Sequence, residues 1–179
     1  MNTNGRNKIV SIDDLIKLYY NSNDYDMLRD TTKSDYKYFL GVVSDSIGKD
    51  KFVGFTSRKA KWAYEEWVRR GVSFANHVAT CASRVFNYAI EMEYAVQNPF
   101  TSIKRKAEIK RKVVWKHGDV IKFLDVAYSD FSTRNIGLIR QMTYEWCQRI
   151  GDMRTLRWSN IDFDTKMLTL EQSKRRAEV

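Results

Sequence analysis

Apolar residues recur at helical spacing along most of this chain, and short polar or glycine-bearing gaps divide the pattern into segments. Ser11-Ile12-Asp13-Asp14 has the form of a capping box and predicts a helix to about Asn21, with Ile12, Leu15, Ile16 and Tyr19 on one face. A second helix is expected from a cap at Thr31 or Thr32 to about Gly48, on a stripe of Tyr36, Phe39, Leu40 and Val43. Ser57 caps a third, with Ala60, Tyr64, Trp67 and Val68 repeating before Gly71 closes it. The fourth and longest runs from Ser73 to about Val96, with Phe74, Val78, Cys81, Ala82, Val85, Ala89 and Met92 on one face. Asn98-Pro99 stops it, because a residue before proline is pushed out of the α region. Further along, His117–Ala127 and Arg134–Cys147 read as amphipathic helices and Gly151–Leu156 as a short one. Asn160–Asp164 and Met167–Gln172 read as short strands joined by a turn at Asp164-Thr165-Lys166. The expected class is mainly α, with one small β-hairpin.

Composition narrows what such a chain does. With 179 residues, 43% hydrophobic and 30% charged, it has the make-up of a globular protein of one ordinary or two small domains. No apolar run reaches the roughly 18–20 residues that span a bilayer, and the polar start has no signal-peptide core, so no membrane partner is expected. Cys81 and Cys147 fall in helical apolar patterns and read as reduced packing residues. Two distant histidines without clustered cysteines or carboxylates give no metal-ligand pattern, and no glycine-rich phosphate loop is present; no cofactor is expected.

The charge is uneven. Residues 1–100 carry 14 Lys/Arg against 12 Asp/Glu, whereas residues 101–179 carry 17 against 10. An excess of +9 points to an anionic partner, of which nucleic acid is the commonest. Lys104-Arg105-Lys106 and Lys110-Arg111-Lys112 place six cations in nine residues, with Glu108 alone to offset them. Such density favours an extended linker, expected over 101–113 and lying along a DNA backbone. The polar face of the fourth helix, His77, Thr80, Arg84, Asn87 and Glu91, reads either as a DNA-facing surface, with Arg84 its cation, or as an ordinary solvated one.

One stretch carries specific chemistry. Cys147-Gln148-Arg149-Ile150-Gly151-Asp152-Met153-Arg154-Thr155-Leu156-Arg157-Trp158-Ser159-Asn160-Ile161-Asp162 keeps an arginine, an acidic residue, Leu-x-Trp and Ile-Asp in fixed order. It resembles the first arginine box of the tyrosine recombinases, the phage-integrase family. Tyr88-Ala89 and Asn98-Pro99 resemble the close of that family's core-binding domain. Gln148 stands where leucine is usual, and Asp152 where glutamate is more frequent.

The resemblance implies a four-helix SAM-like core-binding domain over 9–100, the basic linker over 101–113, and the first part of a catalytic domain, helices plus a short hairpin, over 114–179. It implies site-specific DNA breakage and rejoining without a cofactor, through a 3′-phosphotyrosyl intermediate in a tetrameric synapse. Arg149 then grips the phosphate being cut and Asp152 orients it. Lys174, in Gln172-Ser173-Lys174, matches the lysine that protonates the leaving 5′-oxygen, although Arg175-Arg176 replace the usual following residues. A guanidinium can bind two non-bridging oxygens without losing its proton, which suits a transition state that gathers charge there. The bland alternative is a surface pair between Arg149 and Asp152.

The family's His-x-x-Arg box and tyrosine nucleophile have no match. Neither His77 nor His117 is followed by arginine three residues on, and the last tyrosine, Tyr144, precedes the box. The expectation is therefore a DNA-binding portion that does not cut by itself, monomeric or weakly associating, in the cytoplasm of a bacterial or phage-infected cell. Trp158 is expected as a core anchor. A non-catalytic DNA-binding regulator and a helical protein-interaction module remain alternatives.

Overall fold

The computed structural model describes residues 9–109 and 112–170. The chain divides into two compact units, Met1–Lys110 and Arg111–Val179.

The first unit is helical. α1 (Ile12–Tyr20) begins at the expected capping box: the Asp14 amide donates to Ser11 Oγ, and the Ser11 amide donates back to Asp14 Oδ2 at 3.0 Å. Those hydrogen bonds, the Ser11 amide first, hold the Asp14 carboxyl below its ordinary range. A four-residue α2 (Asn23–Asp26), too short to show periodicity, precedes α3 (Asp30–Ile47). α4 (Ser57–Val68) is capped by Thr56, one residue earlier than expected. α5 (Val72–Glu91) packs against α1, α3 and α4 and is the spine of the unit. Its buried face includes Ala75, Ala79, Ala82 and Ala89, small residues that admit the neighbouring helices closely.

Aromatic rings fill the two ends of this core. Tyr19 meets Tyr25, Tyr36 and Tyr88, while Phe52, Phe55, Phe86, Trp67 and Phe100 pack at the other end. α5 stops five residues short of the expected Val96. The chain turns through Glu93 (φ 59°), and the Tyr94 and Ala95 amides both return to the Ala89 carbonyl. Buried Asn98 explains the early stop. Its amide nitrogen donates to the Ser83 carbonyl at 2.9 Å and to Asn87 Oδ1 at 2.6 Å, and its oxygen accepts from the Phe100 amide. A continuous helix would carry Asn98 past these partners and keep Phe100 out of the core.

In the second unit, α6 (His117–Ser129) and α7 (Arg134–Glu145) pack together, and α8 (Ile150–Arg154) packs on α7. Gly137 permits the α6–α7 contact: a Cβ there would lie 3.0 Å from that of Ala127. A 3₁₀ turn (Trp158–Asn160) leads into antiparallel β1 (Ile161–Asp162) and β2 (Met167–Leu168), paired Ile161 to Leu168 and Asp162 to Met167. The strands are shorter than expected. Asp162 Oδ1 accepts from the Asp164 and Thr165 amides, closing the turn.

Candidate nucleic-acid interface

Arg149 sits where α7 gives way to α8. The chain passes through Cys147 in the left-handed region (φ 52°), and Arg149 then serves as N-cap, its carbonyl accepting from the Asp152 and Met153 amides. This turn brings Arg149 and Asp152 onto one edge of α8. The guanidinium Nη1 lies 3.9 Å from Asp152 Oδ2, an ion-pair distance rather than a hydrogen bond. The two side chains differ in environment: Arg149 is 42% exposed and Asp152 1%. The pair is thus not the solvated surface contact that sequence left open. A carboxylate this deep is favourable only with compensating charge, and Arg149 supplies some of it while remaining accessible from outside.

A cleft of about 650 Å³ lies in the same unit, lined by Leu138, Met142, Trp146, Met153, Leu156 and Trp158 among others. Trp158, expected as a core anchor, is 80% exposed, its ring stacked on Phe163. The Leu-x-Trp pattern reads as core only if something covers this face, and nothing among the described residues does. Cys147, expected as packing, is likewise exposed, whereas Cys81 is buried and its thiol is pushed up to about 12 by that burial. The Tyr144 hydroxyl lies 3.1 Å from His117 Nδ1. Lys174 lies outside the described residues, as do Lys110 and Arg111.

The basic stretch does not start as a loose tether. The Lys106 amide donates to the Tyr64 hydroxyl at 2.8 Å, its carbonyl accepts from Asn76 Nδ2, and its ammonium is 2.7 Å from Glu65 Oε2. Asn76 also donates to Glu108. Residues to Glu108 are therefore fastened along α4 and α5, and Lys106 is neutralised. Lys104, Arg105 and Lys112 are exposed. Lys104 lines a groove with Arg58, Lys61 and Glu65, so α4 adds cations that sequence reasoning did not single out. Their i, i+3 spacing on an exposed face, Arg58 to Lys61, was the available signal.

Arg84 is held differently. It is ion-paired to Asp24 at 2.6 Å and to Glu91 at 3.2 Å, its side chain 39% exposed. It ties α2 to α5, a placement invisible without knowing that α2 exists. Among the described residues no group of three or more His, Cys, Asp or Glu is placed to hold a metal, and no helix is long and apolar enough to cross a membrane.

No family model matches the chain. It is 24% identical over 164 residues to the ICEBs1 integrase of Bacillus subtilis (strain 168), a match covering 88% of this chain and 43% of that protein. The chain thus spans less than half the length of this curated relative. Its fold is similar to that of lambda integrase in a dimer bound to a COC′ core site (TM-score 0.82, 17% identity, 95% of this chain and 48% of that one). It is also similar to that of lambda integrase in a tetramer bound to a Holliday junction (TM-score 0.82, 18% identity, 95% and 50%). A third similar fold is that of the Tn1549 transposon integrase in complex with transposon right end DNA (TM-score 0.75, 15% identity, 90% and 52%).

Proposed function

Starting from a chain that resembles the tyrosine recombinases in its arginine box, its overall sequence and its fold, we propose that it is the DNA-binding portion of a site-specific recombinase. Residues 9–100 form the core-binding domain, 101–113 the basic connection, and 114–179 the opening of the catalytic domain. The observation that carries this reading is Arg149, accessible at the start of α8 and backed by the buried carboxylate of Asp152. A guanidinium can bind two phosphate oxygens without losing its proton, and a cation placed there stabilises the charge that develops during cleavage. Asp152 is its positioning partner. Lys174 delivers the proton to the leaving 5′-oxygen.

In the intact recombinase these residues grip the scissile phosphate within a tetrameric synapse. A tyrosine from elsewhere in the protein attacks the phosphorus, forming the 3′-phosphotyrosyl link as the 5′-oxygen leaves with its proton. The seat of action is DNA in the cytoplasm. Lys104, Arg105, Arg58 and Lys61 supply sequence-independent attraction along the backbone; Lys106, already paired with Glu65, supplies less.

The test is duplex binding by variants. Neutralising Lys104 and Arg105 together should lower affinity for all duplex sequences and flatten the salt dependence by up to about two units of slope, whereas Arg149→Ala should change affinity little. Unchanged binding after the double substitution would remove the linker from the interface.

A further inference from the structure

The segment that leaves Phe100 is gripped by a closed cycle of hydrogen bonds. The Lys106 amide donates to the Tyr64 hydroxyl at 2.8 Å, and that hydroxyl donates to Asn76 Oδ1 at 2.8 Å. Asn76 Nδ2 then donates back to the Lys106 carbonyl at 3.1 Å. Every donor in the cycle meets an acceptor, which fixes the orientation of both the hydroxyl and the side-chain amide. Asn76 Nδ2 also reaches Glu108 Oε1 at 3.3 Å. Both clasping residues are set by helices: Tyr64 is 1% exposed on α4, and Asn76 is half-buried near the start of α5.

The clasp does not serve the core. Lys104, Arg105, Lys106, Ala107 and Glu108 are all exposed, so closing it buries no apolar side chain of this segment. Ordering these residues costs backbone entropy, and the like charges along them repel. A hold kept against both costs, with no burial in return, points to a role in the connection itself.

Its position decides how much chain is left over. Ile103 packs on the core and its amide donates to the Phe100 carbonyl, so without the clasp the last anchor would be Ile103. Thirteen residues (104–116) would then precede α6 at His117; with the clasp, eight (109–116) do. At no more than about 3.6 Å per residue, eight residues reach about 29 Å and thirteen about 47 Å.

We propose that Tyr64 and Asn76 are positioning residues that set the working length of the connection. Through that length they set the effective concentration at which a duplex held by one unit meets the other. For a connection that spans its two sites, this concentration falls as roughly the 3/2 power of length. Opening the clasp therefore weakens duplex binding about twofold, the 3/2 power of 13/8, while removing no phosphate contact. The inference rests on the DNA-binding reading above and assigns a role to two residues that touch no DNA in it.

The full 179-residue chain tests it, by limited trypsin digestion mapped with mass spectrometry and by binding of a fluorescein-labelled mixed-sequence duplex. The unaltered chain should be cut first beyond Ile109 and slowly after Lys104, Arg105 and Lys106. Tyr64→Phe combined with Asn76→Ala should speed those slow cuts about tenfold, lower affinity about twofold and leave the salt slope unchanged. Inserting five Gly/Ser residues between Glu108 and Ile109, with the clasp intact, should give the same loss of affinity and keep those cuts slow. Equal cutting on both sides of Ile109 in the unaltered chain overturns the clasp. Cuts that open while affinity holds overturn its role in setting length. A reduced salt slope also overturns that role, by assigning the clasp to the placement of Lys104 and Arg105 on phosphates. An insertion without effect on affinity overturns it independently, whatever the substituted chain does. Each of these results leaves the DNA-binding reading standing, whereas failure of the unaltered chain to bind duplex overturns both.

Discussion

Both units are built around amphipathic helices, longer in the first than in the second, but they stand at different stages of burial. In the first, every helix of three turns or more places its apolar stripe against α5, and a single continuous cluster runs from Ile12 to Phe100. In the second, Val120, Ala127, Met153 and Leu170 are the buried apolar side chains among the described residues. Ile136, Leu138, Trp146, Trp158, Phe163 and Met167 are all at least 40% exposed. Amphipathic periodicity therefore predicts a helix equally well in both units, but it predicts a core only where every stripe has a facing partner. The first unit has the anatomy of an independent folding unit; the second leaves several of its large apolar side chains exposed.

The sharpest contrast comes from truncating one leucine in each unit. Leu40 is fully buried and Leu138 is 48% exposed beside the open cleft. Leu40→Ala should cost the first unit about 2–5 kcal/mol in denaturant unfolding, whereas Leu138→Ala should cost less than about 1 kcal/mol. Equal losses would mean that the second unit is closed in solution. Next in size, Asn98→Ala should cost about 1–3 kcal/mol, because it strands the Phe100 amide beside the core and removes the link from Asn98 to Ser83 and Asn87 of α5.

The smallest perturbation uses the native cysteines, one per unit. Cys147 should react with a thiol reagent at once, and Cys81 only when its unit opens. Burial raises the Cys81 pKa to about 12, so the stability contributed by its neutral thiol is complete below the ordinary thiol pKa and is lost as pH rises through about 12. Two fast thiols in native protein would contradict the closed first unit.

Much of the fold was legible because its signals are local. The Ser11–Asp14 box, the 3–4 spacing of apolar residues and the turn before Lys166 lie within a few positions of one another. What escaped is contact between distant positions. α2 has four residues and no period. Lys106 is held by Tyr64 and Asn76, which no run of charge announces, so a stretch that reads as self-repelling is fastened over its first half. Arg84 looked like a surface cation because Asp24 is sixty residues away. At the candidate site the arginine box fixed which residues to examine, Arg149 and Asp152, but not that one would be buried and the other open. Trp158 misled because a motif tryptophan reads as core, and burial depends on what covers it.

The central claim is that these residues hold duplex DNA by its phosphates. Its most direct test is the affinity of the unaltered chain for a mixed-sequence duplex across a salt series. A steep fall is expected, with log affinity declining linearly in log salt at about 0.9 per phosphate neutralised, giving a slope of several units for the exposed cations. A flat dependence, or no binding at low salt, would contradict it.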